Sequence, residues 1–424
     1  VSLSKLAGSQ TEVLLWSPLQ EVEEEARQQL IRTASLPSAY KVLAMPDVHA
    51  GKGVTVGAVV ALVDAVCPNV VGVDIGCGMQ AFRTNLTVDD LPKDLHALRM
   101  RVESLIPSGT GQAHEKPLEL VATAKYSELW ERFAQAEQSK CSLERAQQQM
   151  GSLGSGNHFI EVCVDTNNRI WLMLHSGSRF FGLQVAESHA WKAEVLPMNQ
   201  ALPDKTLSVL PRGTPDFDAY WRDMQTAQIY AKLNRDTMFS LLLQALDMEG
   251  FKIQTTDMRV DCHHNYATEE EHDGKKLIVA RKGAISARKG EMGIIPGAMG
   301  RKSFIVEGLG SPESLQSASH GAGRKMSRTK ALKTFSLEDL KISTKGVECH
   351  LGKGVLDEIG EAYKDISKVM DQQADLVRPL FELRSLLTVK GHEDTMQRDR
   401  KAKAKDRDES RREARRDKGH RWRL

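Results

Sequence analysis

Apolar runs that break into glycine-bordered loops bearing Cys, Asp or His recur along this chain, and they constrain its fold more than any other feature. The stretch VGVDIGCGMQ (Val71–Gln80) places Asp74 and Cys77 three positions apart between glycines. GSGNHF, LMLHSGSR and DCHHNY add His158, His175 and the pair His263 and His264. Such runs read as strands that end in polar loops, so the expected core is a layered sheet. Cys77 is one of six cysteines in 424 residues. In so open a loop it reads as a small buried hydrophobe, a nucleophile or a metal-bound thiolate.

The remaining periodicity is mixed. Residues 19–33 read as an amphipathic helix, 40–63 as strand, loop and strand, and 117–150 as helical. The run RIWLMLHSGSR (Arg169–Arg179) alternates like a strand and ends at His175. Residues 216–248 carry the longest helical signal, 276–309 read as strands and loops, and 355–388 as helix. Strands and helices alternate without a strict βαβ rhythm or an internal repeat. This predicts an α/β or α+β fold in one large domain over residues 1–391.

No apolar run approaches the roughly 18 residues of a membrane span. The start, VSLSKLAGSQ, lacks a secretory pattern. Cysteines at 67, 77, 141, 163, 262 and 349 are scattered rather than set in a disulfide framework. The expectation is a cytoplasmic protein in a reducing compartment. Net charge is +2, but residues 392–424 hold 13 Lys and Arg against 8 Asp and Glu, a net of +5 that leaves −3 for the rest. This tail is too poor in apolar residues for a core of its own. It reads as a solvated end or as a basic arm for nucleic-acid phosphates. Trp422 would be the anchor if the tail instead docks a protein or a ribosome.

A mixture of Cys, Asp and His suits a borderline divalent ion such as Zn²⁺ or Mn²⁺. Thiolate plus carboxylate gives two negative charges, enough for two cations if the thiolate bridges. A single histidine after a strand is commonly structural, and the recurrence here shifts that balance. His263 and His264 cannot both enter one site from an extended segment, because successive side chains alternate faces. One is the ligand candidate and the other structural. Asn157 and Asn265, beside candidate histidines, read as substrate-orienting amides or as plain turn residues. Neither G-x-x-x-x-G-K-[ST] nor G-x-G-x-x-G at a strand-to-helix turn is present.

In SASHGAGRKMSR (Ser317–Arg328), His320 precedes Gly321 and Gly323, which would let a polyanion approach the backbone. Arg324 and Arg328 are four apart, so on a helix they share a face. Guanidinium forks match phosphate geometry. A neutral imidazole can attack an α-phosphorus to form a phosphoramidate. The plain alternative is an ordinary basic helix start. IIPGAMGRKSF (Ile294–Phe304) adds another glycine-bearing loop able to meet a nucleotide.

With MPDVHAGKG, VGVDIGCGM, GSGNHFIE, LHSGSR, CHHNY, PGAMG, SHGAGRKMSR and a late VKG, in this order over about residues 40–391, the chain resembles the RtcB family of GTP-dependent RNA-splicing ligases. The resemblance implies a mixed α/β sandwich around a central metal-containing cleft. It implies two manganese ions held by Asp74, Cys77, His158, His175 and His264, with Cys77 bridging and Asp47 close by. The glycines beside Cys77 would let metals and phosphates crowd it. His320 would take GMP from GTP and release pyrophosphate. Asn157, His158, Phe159, Ile160, Glu161, His264, Asn265, Pro296, Gly297, Ala298, Met299, Ser303, His320, Gly321, Ala322, Gly323 and Lys390 would contact the guanylate. Arg179, Arg324 and Arg328 would hold RNA or nucleotide phosphates. The implied reaction opens an RNA 2′,3′-cyclic phosphate to a 3′-phosphate, passes GMP to it, and joins it to a 5′-hydroxyl as GMP leaves. A monomer is expected.

The chain departs from the family pattern in three places. Position 298 is alanine where PGSMG is usual, the region 107–150 is short, and 33 residues follow Gly391. Two rival readings are a metal-dependent phosphodiesterase or phosphatase on RNA ends, and a non-catalytic RNA-binding relative. Neither needs His320 together with the whole ligand set.

Overall fold

Two sheets set the architecture, and one long helix ties their cores together. The computed structural model describes residues 3–137 and 140–391, so the basic tail 392–424 lies outside the described residues. The chain begins β1 (Ser4–Ala7), β2 (Glu12–Leu15), α1 (Glu24–Thr33), β3 (Ala39–His49), β4 (Val56–Leu62), β5 (Ala65–Val66), α2 (Pro68–Val71) and β6 (Gly78–Thr87). Next are α3 (His96–Leu105), α4 (Ala124–Gln135), α5 (Leu143–Gln149), β7 (Phe159–Asp165), β8 (Arg169–Ser176), α6 (Arg179–Val195), β9 (Leu210–Pro211) and α7 (Pro215–Met248). The strands β10 (Thr255–His263), β11 (Asn265–His272), β12 (Lys275–Lys282), β13 (Ala284–Ser286), β14 (Met292–Ile295), β15 (Lys302–Gly308) and β16 (Ser317–Ser319) follow. The described chain ends with α8 (Arg328–Thr334), α9 (Leu337–Ser343), β17 (Glu348–Cys349), α10 (Ile366–Asp371) and β18 (Val377–Lys390).

One sheet runs β1-β2-β3-β4-β12-β11, and the other runs β10-β6-β8-β7-β18-β15-β14, with β17 on β18. Alternation along the strands sorts the side chains. Leu43, Val59 and Val279 of the first sheet share a core with Phe304 and Val306 of the second, so the two pack as a sandwich. Val42, Val60 and Ile278, on the opposite face of the first sheet, meet α1, α6 and the first half of α7. Ile160, Leu172 and Leu387 of the second sheet meet α3 and the last half of α7. The mixed α/β sandwich expected above is the fold observed.

Local chemistry explains why α7 was legible. Thr214 caps it, accepting from the Phe217 amide at 3.3 Å, with Pro215 in the first turn and Asp216 and Asp218 beside the positive helix end. Gly250, at φ +88°, takes the left-handed turn just beyond it. The reading of 355–388 as helix is corrected. Only short helical turns occupy its first half, and Val377–Lys390 is a strand bonded to β7 and β15. This strand buries apolar side chains on both faces, Leu383 on one and Leu387 and Val389 on the other, so its sequence lacks a clean period of two.

Candidate active site and metal centre

Strand register gathers the ligand candidates at one end of the second sheet. Gly78 opens β6 opposite Ser176 of β8 and His263 of β10, while Phe159 opens β7 opposite His175. Lys390, the last residue of β18, pairs with Phe159. Residues 77, 158, 175, 264 and 390 therefore converge although they are far apart in sequence. The expectation that ligand loops follow strands holds for His264, whereas His175 lies within β8 itself, paired with Met79 and Phe159. The expectation is corrected for Asp74 and Cys77, which follow the short helix α2, and for His158, which precedes β7.

Cys77 Sγ lies 3.4 Å from His158 Nε2 and 3.2 Å from His175 Nε2. His158 Nε2 is 3.0 Å from Asp74 Oδ2, and His175 Nε2 is 3.1 Å from His264 Nε2. His158 Nδ1 donates to the Leu153 carbonyl at 2.9 Å, which orients the ring with Nε2 facing the cluster. Burial lowers the basicity of His175 and His264 well below the usual imidazole, which keeps both rings neutral. Burial, reinforced by the Asp74 carboxylate, pushes the Cys77 thiol well up. A bound cation reverses that preference, because a coordinating thiol is deprotonated outright. Cys77, His158 and His175 hold their donor atoms within 4.8 Å of one another, and a thiolate with imidazoles and a carboxylate fits a borderline divalent ion.

His263 and His264 do face opposite ways. His263 Nδ1 turns to the Gly76 carbonyl at 2.9 Å, away from the cluster. The glycines fencing Cys77 admit close protein neighbours. A Cβ on Gly76 would lie 2.8 Å from Gln228 Cα on α7, and one on Gly78 would lie 2.4 Å from the Cys262 carbonyl.

The cluster borders a cavity of about 330 Å³ between the two sheets. His320 lines it, 4.8 Å ring to ring from His264. Its Nδ1 donates to Asp47 Oδ2 at 2.7 Å, so that in the neutral ring Nε2 carries the lone pair. Asp47, fully buried in β3, also accepts from the His320 amide at 3.2 Å. Gly323 is required by this contact, since a Cβ there would lie 2.1 Å from the Asp47 carbonyl. Asn157, Phe159, Glu161, Asn265, Pro296, Gly297, Ala298, Met299, Gly321, Ala322, Gly323 and Lys390 also line the cavity.

Other expected contacts lie elsewhere. Ile160 faces the helical core, because alternation along β7 sends only Phe159 and Glu161 toward the cavity. Ser303 shapes the neighbouring loop instead, its hydroxyl accepting from the Gly297 amide at 3.2 Å. His158 stands behind Cys77, outside the lining. Arg179 turns to the Ser152 hydroxyl at 3.1 Å, also outside the lining. Asn265 is a brace, donating to the Asp74 carbonyl at 3.2 Å and accepting from the Gly283 amide at 2.9 Å.

The two-arginine helix face is corrected. Ser327 caps α8, so Arg324 precedes the helix and bridges to Tyr363 instead. The two guanidiniums still meet at a residue that sequence reasoning missed. Glu358, 3% exposed, accepts from Arg324 at 3.2 Å, Lys390 at 2.8 Å, the Tyr363 hydroxyl at 2.7 Å and Arg328. Against the cost of burial, Lys390, Arg328 and Arg324 hold its carboxyl far below the ordinary range. Lys282, also missed, lines the cavity, and burial brings its ammonium down to about 8.

No helix among the described residues is long and apolar enough to cross a membrane. Residues 29–391 match the family model described as tRNA-splicing ligase RtcB. The RNA-splicing ligase RtcB of Escherichia coli strain K12 is 45% identical over 405 residues, which cover 89% of this chain and 97% of that relative. The RNA-splicing ligase RtcB of Mycobacterium bovis is 31% identical, covering 86% of this chain and all of that relative. The tRNA-splicing ligase RtcB of Nanoarchaeum equitans is 30% identical, covering 87% and 92%. With a family match over most of its length, and a sandwich that gathers thiol, carboxylate and imidazoles beside a carboxylate-held histidine, this chain belongs to the RtcB family of RNA ligases.

Proposed function

We propose that this chain is a GTP- and manganese-dependent ligase that joins RNA 3′-phosphate or 2′,3′-cyclic-phosphate ends to 5′-hydroxyl ends, in tRNA splicing or RNA repair. One observation carries the reading. His320 is locked by Asp47 at the wall of the cavity, with its second nitrogen free and the metal-type cluster beside it.

His320 Nε2 attacks the α-phosphorus of GTP. A nitrogen–phosphorus bond forms, and the bond to pyrophosphate breaks. Asp47 keeps the proton on Nδ1 and offsets the positive charge that grows on the ring. Where the RNA ends in a 2′,3′-cyclic phosphate, water first opens it to a 3′-phosphate and a 2′-hydroxyl, and an oxygen of the 3′-phosphate then takes GMP from His320. The 5′-hydroxyl attacks this activated phosphorus, and GMP departs with the bonding electrons. A phosphate monoester is a poor electrophile until GMP is its leaving group.

Two manganese ions at Asp74, Cys77, His158, His175 and His264 would supply Lewis acidity and offset the gathered negative charge. Lys282 would add positive charge at the cavity wall, where Lys390 is already paired with Glu358, and the buried Glu161 carboxyl would accept from a guanine edge. Arg328, partly exposed, remains the arginine best placed for phosphate, whereas Arg324 is committed to Glu358, Tyr363 and two backbone carbonyls.

The test supplies two RNA fragments, one ending in a 2′,3′-cyclic phosphate and the other starting with a 5′-hydroxyl, with GTP and Mn²⁺. A joined product that requires GTP is expected. Conversion of the cyclic end to a monophosphate or a hydroxyl, without joining, would favour a phosphodiesterase or phosphatase instead.

A further inference from the structure

Helix α7 carries two adjacent buried polar side chains that no step above uses. Asn234 and Arg235 are fully buried near its middle. Arg235 Nη1 donates to the carbonyls of Gly76 at 3.0 Å and Ser176 at 3.1 Å, and Nη2 donates to Asp261 Oδ1 at 3.1 Å. Gly76 immediately precedes Cys77, and Ser176 immediately follows His175. Asn234 Nδ2 reaches the carbonyls of Ser152 and Gly177, both at 3.2 Å, and the Ser176 hydroxyl at 3.3 Å. Its Oδ1 accepts from the Gly151 and Ser152 amides at 2.8 and 3.3 Å. The Ser176 hydroxyl donates in turn to the Leu153 carbonyl at 2.9 Å, the same carbonyl that orients His158.

These two residues thus hold the backbone on which Cys77 and His175 are mounted, and the loop that leads into His158. Both carbonyls are held by the two N–H bonds of Nη1, which lie in the guanidinium plane, and Nη2 ties that plane to Asp261, so the spacing is fixed as a freely rotating ammonium would not fix it. We propose that Asn234 and Arg235 are positioning residues for the metal centre: by spacing Cys77, His158 and His175 they set the affinity for a thiolate-bound divalent cation. The proposal rests on the metal-centre reading above.

The probe is Co²⁺, because a cobalt–thiolate bond gives a charge-transfer absorption that reports Cys77 directly. The wild-type chain should bind it with that band. Arg235→Lys keeps the charge but loses the fork, and its Co²⁺ dissociation constant should rise about 10- to 100-fold, with the band weakened or shifted. Asn234→Asp keeps the shape and the acceptor but loses three donor contacts, and it should act the same way, deciding the matter if Arg235→Lys does not fold. Arg281→Lys is the control. Arg281 is equally buried, and its guanidinium, held by Glu270, Leu315 and Ser317, donates to none of the backbone that carries Cys77, His158 or His175. Its affinity and band should match wild type. Folded Arg235→Lys or Asn234→Asp chains that bind Co²⁺ as wild type does would overturn the proposal. So would an equal loss in Arg281→Lys, which would make the effect that of any buried arginine. A wild-type chain without the thiolate band would overturn the metal-centre reading itself, and the positioning role with it.

Discussion

His320 Nδ1 lies 2.7 Å from Asp47 Oδ2, a contact between residues 273 positions apart that decides which ring nitrogen is free. Asp47→Asn should therefore leave the fold intact while impairing His320, because an amide can hold the wrong tautomer as easily as the right one. Transfer of GMP to the protein should fall on the order of 10²–10⁴-fold. Metal content should remain at the wild-type level. Quantitative labelling with GTP checks this, and an undiminished rate would remove Asp47 from the account.

Cys77→Ser should lose metal and ligation together while the chain stays folded. A hydroxyl keeps its proton near neutral pH where a metal-bound thiol does not. The measurement is manganese bound per chain after equilibrium dialysis, read beside a circular dichroism spectrum. Full metal occupancy in a folded variant would contradict the assignment of Cys77.

His264→Ala should cost far more metal affinity than His263→Ala. His264 Nε2 faces His175 at 3.1 Å, whereas His263 is turned to the Gly76 carbonyl. Equal losses in the two variants, measured by metal titration, would refute the distinction.

Much of the site was legible because its residues sit in short strings whose order along the chain is itself informative. Cys77, His158, His175 and the choice of His264 over His263 needed only donor chemistry, the family match and strand alternation. The same alternation removes Ile160 from the cavity, and the expectation of a continuous contact from 157 to 161 overlooked it. Glu358 could not be read locally, since its partners come from positions 324, 328, 363 and 390. Helix α7 announced itself through its own cap and proline, whereas β18 owes its form to the strands on either side of it. The loop glycines at 76 and 78 were correctly singled out, but α7 and β10, the elements they admit, lie far away in sequence.

Glu358→Gln should destabilise the chain at neutral pH, because it strands Arg324 and Lys390 beside a neutral amide. Breaking a buried pair in this way costs roughly 3–5 kcal/mol. Arg328, 40% exposed, adds little to that loss. The sign with pH follows from a carboxyl held below its ordinary value. Its stabilising contribution is fully present above the unfolded pKa of about 4.3 and is lost as pH falls toward the folded value. Denaturant unfolding of both chains should show a wide gap at pH 7 that narrows below pH 4. Parallel curves across that range would contradict the account.

The most direct test is covalent. Wild-type chain incubated with Mn²⁺ and GTP labelled at the α-phosphorus should give a labelled protein band under denaturing conditions, with the label on His320. The bond should be acid-labile, as a phosphoramidate is. His320→Ala should bind metal normally and take no label. A His320→Ala chain that still accepts GMP, or a fully metal-loaded wild-type chain that never does, would contradict the central claim.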